Sequence, residues 1–164
     1  WLLDSKRSGN AALDLHVHDV DMILYLFGKP TRISSVGSKD PDGGISHIAT
    51  TYTYPDFAVA STGGWRCSSS FGFNMRFFIV MDKATLELDQ SKSPDLVLCP
   101  DGKKKTSVKY QAGDGYFHEL KDFVAGIAAG KLSGVVTAES AAESVKLALK
   151  EIESVNKAKD IKIS

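Results

Sequence analysis

At 164 residues, 43% of them hydrophobic and 24% charged, the chain can build a sizeable core and reads as a soluble globular domain. Its 20 basic and 20 acidic residues cancel, which argues against a nucleic-acid or other polyanionic partner. No apolar run approaches the roughly 20 residues that span a bilayer, so no membrane contact is expected.

Two cysteines, Cys67 and Cys99, make no disulfide framework and lack metal-ligand spacing. Free thiols in a reducing cytoplasm are the expectation. No signal peptide is visible, and a start at Trp1 reads as a fragment or a processed product.

In chain order, an opening segment of residues 1–8 leads into a helix, with Trp1 expected to pack. An apolar pattern then runs over residues 11–27, and Gly28 with Pro30 beyond stops it. At about 100° per residue, Asp14, His18, Asp21 and Tyr25 share one face. Leu13, Val17, Val20, Leu24 and Phe27 flank that face on one side, and Leu15, Met22 and Leu26 on the other. A polar stripe between two apolar flanks is expected to face a cleft or a partner.

Strands are predicted at 32–37, 46–54, 57–65, 73–81, 84–89, 95–99 and 106–110, with turn-rich connectors such as Ser38 to Gly44. Two helices follow. One is capped by Asp114 and stopped by Gly130; the other is capped by Thr137, with a stripe through Ala141, Val145, Ala148, Ile152 and Val155. Ile161 to Ile163 returns as an edge strand. Helix, antiparallel strands and closing helices predict one α+β domain over 1–164: an open antiparallel sheet with helices on one face. Its other face is expected to mediate self-association, through Phe57, Val59 and Trp65 and through Phe73, Phe77 and Ile79.

Asp14 and His18 stand four residues apart. Such a pair is either a local hydrogen bond or an acid–base pair acting on one small molecule. Asp14-Leu15-His16-Val17-His18 also reads as the opening of a metal-dependent hydrolase, in which a strand aims alternate histidines at one metal. On a helix, His16 and His18 point about 160° apart. The helix reading therefore expects no metal, and expects replacement of His16 to do little. Asp21 and Tyr25 are expected to support the site or the fold, and His47 and His118 to be structural or exposed.

Ser8-Gly9-Asn10-Ala11-Ala12-Leu13-Asp14-Leu15-His16-Val17-His18-Asp19 resembles the opening of the second domain in the glucose–fructose oxidoreductase, inositol dehydrogenase and MocA (Gfo/Idh/MocA) family. There a glycine-rich turn leads to Asp, three residues, then His. The match falls on Asp14 and His18, with Asn10 and Ala11 where the family usually has glycine. Residues 77–89, 116–123 and 136–139 continue the likeness. It implies the fold of the dihydrodipicolinate reductase/glyceraldehyde-3-phosphate dehydrogenase-like C-terminal domain. It also implies the substrate-binding and oligomerisation half of an NAD(P)-dependent enzyme that oxidises or reduces the alcohol or carbonyl group of a sugar, polyol or related compound. His18 would be the base and Asp14 a ligand of a substrate hydroxyl that favours cationic His18.

The chain lacks Gly-x-Gly-x-x-Gly, so it is expected to bind no cofactor itself, and the nucleotide-binding domain is expected to lie outside it. Two other readings stand beside this one: a non-catalytic binding or oligomerisation module, and the hydrolase fragment.

Overall fold

Side-chain caps set where three helices begin. Asp4 accepts from the Lys6 amide at 3.0 Å, Asp114 from the Phe117 amide at 2.8 Å, and Thr137 forms a reciprocal capping box with Ser140. The computed structural model describes residues 1–2, 4–131 and 134–163. Its elements are α1 (Ser5–Ser8), α2 (Asn10–Asp14), α3 (Val17–Phe27), β1 (Arg32–Lys39), β2 (Ile45–Thr53), β3 (Ala58–Gly64), β4 (Arg76–Met81), β5 (Ala84–Asp89), β6 (Leu96–Pro100), β7 (Thr106–Ser107), α4 (Gly115–Ala129), α5 (Ala138–Lys157) and β8 (Ile161–Lys162).

The class is α+β, and the pairing is antiparallel throughout. Where the sequence suggests one open sheet, the strands form two four-stranded sheets, ordered β3-β2-β1-β8 and β4-β5-β6-β7. They belong to two compact units, Trp1–Cys67 with Ser133–Ser164, and Ser68–Leu132.

In the first unit, α3 and α5 cover one face of β1–β3. Val20, Ile23, Ile33, Tyr52, Tyr54, Leu147, Ala148 and Ile161 form its main core. Fully burying one such aliphatic side chain contributes about 1.5–3 kcal/mol. A smaller cluster of Ala12, Ile45 and Ile48 lies against Ile152 and Val155.

Period-two alternation sorts the strands: Ile33, Ser35, Ile48, Thr50 and Tyr52 point inward, whereas Ser34, Val36 and Thr51 are exposed. Val59 packs on the core, and the Phe57 ring stacks on Tyr54 with centroids 4.5 Å apart. These two residues therefore lie on the helix side, not on the free face assigned to them from the sequence. The free face of β1–β3 mixes Ser34, Thr51 and Thr62 with Val36, Ala49 and Ala60.

In the second unit, α4 ends at Gly130, whose left-handed backbone supplies the stop. Val97 is its buried residue on β6. Phe77 and Ile79 are half-buried, while Phe78 and Val80 on the same strand are exposed. Among the described residues, no helix is long and apolar enough to cross a membrane.

Candidate active site

The single helix expected over 11–27 is interrupted. Gly9 takes the left-handed region at φ 75°, closing α1 and leading into α2. Asn10 follows at φ 60°, a conformation that Asn tolerates better than most residues. Its side chain is buried, with Nδ2 donating to Asp40 at 3.1 Å and Oδ1 accepting from the Ala11 amide at 2.7 Å. The turn thus survives where the family usually places glycine.

The ladder breaks at Leu15 and His16. Both amides donate to the Ala11 carbonyl, at 3.0 and 2.9 Å, so the His16 bond reaches back five residues. The His18 amide then donates to Leu15 at 3.2 Å, reaching back three. A wide turn followed by a tight one separates α2 from α3, and such insertions are frequent at functional sites.

Asp14 is the last residue of α2 and is half-buried, whereas His18, in the first turn of α3, is exposed. Neither side chain has a hydrogen-bond or ion-pair partner among the described residues. The local-contact reading of the pair therefore finds no support. Of the two apolar flanks, Leu13, Val17, Val20, Leu24 and Phe27 belong to the core, while Met22 and Leu26 are exposed beside Tyr25. Asp21 accepts from Ser144 Oγ at 2.6 Å, which ties α3 to α5. Trp1 is 69% exposed rather than packed. His47 Nε2 lies 3.0 Å from Thr62 Oγ1, and His118 packs edge-on against Phe117.

His16, whose replacement was expected to do little, is fully buried. Its Nδ1 lies 3.1 Å from Asp19 Oδ2, and its Nε2 lies 3.1 Å from Glu151 Oε2 and 3.4 Å from Tyr52 Oη. Glu151 and Tyr52 are fully buried too. With a carboxylate facing each ring nitrogen, the doubly protonated imidazolium has an acceptor on both sides. Burial alone would drive the ring towards neutrality. The carboxylates of Asp19 and Glu151 outweigh it and raise the pKa from 6.5 to about 9. Burial, with Glu151 beside it, pushes the Tyr52 phenol up.

Gly63 on β3 leaves room for this group. A Cβ there would meet His16 Nδ1 at 2.7 Å and Asp19 Oδ2 at 3.0 Å. The sequence reading missed the cluster. Its available signal was the spacing of Ser144, Leu147, Ala148, Glu151 and Ser154, which places a glutamate on the buried face of α5.

Among the described residues, no group of three or more His, Cys, Asp or Glu side chains could hold a metal ion. Gly43 and Gly44 lie in the β1–β2 hairpin, and Gly63 and Gly64 end β3. Neither pair leads from a strand into a helix, so they do not make the cradle that a dinucleotide pyrophosphate needs.

The family model of the GFO/IDH/MocA C-terminal domain matches residues 1–87, and the chain belongs to that family. Levoglucosan dehydrogenase, solved in complex with NADH and levoglucosan, superimposes with a TM-score of 0.82 at 15% identity, covering 99% of this chain and 53% of that one. Aldose–aldose oxidoreductase from Caulobacter crescentus, complexed with glycerol, gives 0.80 at 15% identity, covering 99% and 50%. UDP-N-acetylglucosamine 3-dehydrogenase GnnA from Acidithiobacillus ferrooxidans gives 0.75 at 19% identity, covering 89% and 47%. The chain spans about half the length of these structures. No curated protein sequence matches it significantly.

Proposed function

We propose that this chain is the substrate-binding half of an NAD(P)-dependent oxidoreductase acting on a sugar, polyol or related compound. The observation that carries this reading is the pair Asp14 and His18, with no hydrogen-bond or ion-pair partner among the described residues, in a chain of this family. Sugar-dehydrogenase names among its structural neighbours support the substrate class.

His18 is placed to take the proton of a substrate hydroxyl, and NAD(P), held outside this chain, would supply the hydride chemistry. Asp14 accepts a hydrogen bond from a substrate hydroxyl and orients the carbinol carbon.

This division of labour has a direct test. The chain alone is expected to show no micromolar binding of NADH or NADPH by isothermal titration, and the full-length parent to bind one of them and turn over a sugar or polyol. Micromolar binding by the chain alone would contradict the division.

The free face of β1–β3 is proposed to self-associate. Ser34, Val36, Ala49, Thr51, Ala60 and Thr62 line a shallow depression there. Such small side chains let a second sheet approach closely. Light scattering is expected to give the mass of two or more chains, and one chain at high concentration would count against it.

A further inference from the structure

We propose that His16 and Glu151 are positioning residues for the candidate site, fixing Asp14 and His18 relative to each other across the break between α2 and α3. This rests on the reading of Asp14 and His18 given above. In an unbroken helix, residues four apart hold their relation through the backbone ladder. Here the His16 amide reaches back five residues to Ala11 and the His18 amide donates to Leu15 instead of Asp14, so the regular ladder does not link Asp14 to His18. Whatever immobilises His16, the residue midway between them, therefore sets their separation.

His16 is immobilised from four elements. Asp19 reaches it from within α3, at 3.1 Å. Glu151 of α5 stands 3.1 Å from its other nitrogen. Tyr52 of β2 closes on the same nitrogen at 3.4 Å. Gly63 of β3 comes so near that a Cβ there would lie 2.7 Å from the ring. Both carboxylate oxygens of Glu151 are buried without a hydrogen-bond partner among the described residues, and Oε2 meets His16 Nε2 as an ion-pair contact. A carboxylate kept in such a place costs stability, and an apolar side chain of similar size would pack there without that penalty. Its presence against His16 is accounted for by the position it imposes on the break.

The test compares variants in the full-length enzyme, at a temperature where circular dichroism shows each one folded. Glu151→Gln keeps the volume and removes the charge. It is expected to lower kcat about 10- to 100-fold with KM changed much less, and Glu151→Asp to recover part of the loss. Asp19→Asn, at the half-exposed end of the cluster, is expected to lower kcat by a smaller factor without a folding defect. His18→Ala is run beside them. A folded Glu151→Gln and Asp19→Asn pair with wild-type kcat, while His18→Ala is impaired, would overturn the positioning role and leave the catalytic reading intact. Wild-type kcat in His18→Ala would overturn the catalytic reading instead. Should Glu151→Gln not fold, Asp19→Asn alone decides: wild-type kcat in it rejects the proposal.

Discussion

His18→Ala in the full-length enzyme is expected to lower kcat about 10²- to 10⁴-fold, the range for loss of a positioned acid–base group. Substrate affinity should change far less, because the proton moves in the transition state rather than on binding. His18 is exposed in the first turn of α3, and no hydrogen bond or ion pair among the described residues holds its side chain. Its loss should therefore leave the fold intact, and the kinetic effect can be read without a correction for stability. Steady-state kcat and KM for the variant and the wild type, taken on one substrate, check this.

Glu151→Ala acts on the other side of the same helix. It is expected to destabilise the chain by about 3–5 kcal/mol, the usual cost of removing one partner of a buried charge pair. The pair is also tied to pH. The folded-state pKa of His16, about 9, lies above its ordinary 6.5. The stabilisation it contributes is therefore fully present below 6.5 and is lost as pH rises through about 9. Urea unfolding of the wild type should show the midpoint falling across that window, and Glu151→Ala should lower the midpoint at pH 6 and flatten its pH dependence. A midpoint unchanged at pH 6 would mean that the buried pair adds nothing.

Local chemistry was legible in the sequence. Asp114, Gly130 and Thr137 mark helix ends because a side-chain acceptor or a left-handed backbone is needed there. β5 spans Ala84–Asp89, as its flanking turns predict. Asp14 and His18 stood out by their four-residue spacing, and the family resemblance, rather than the spacing, favoured a site over a local contact.

What long-range contacts decide was not legible. The break at Leu15 and His16 depends on partners from β2, β3 and α5. Of the stripe read on α5, Ala148, Ile152 and Val155 reach the core while Ala141 and Val145 are exposed, and it missed the polar residues of the buried face, Ser144, Glu151 and Ser154. Each of these has a partner. Ser144 donates to Asp21, Glu151 pairs with His16, and Ser154 Oγ accepts from the Ser35 amide at 3.0 Å while donating to the Lys159 carbonyl at 2.7 Å. A hydrophobicity pattern does not find a buried face built from polar groups. Alternation likewise found the strands but not the division between two sheets, because it says which face a residue takes and not which strand lies beside it.

Chemical rescue of His18→Ala by free imidazole tests the assignment of the base most directly. Turnover of the variant should rise in proportion to added neutral imidazole, and substituted imidazoles should follow their basicity. A variant that turns over at the wild-type rate with no imidazole present would contradict the account.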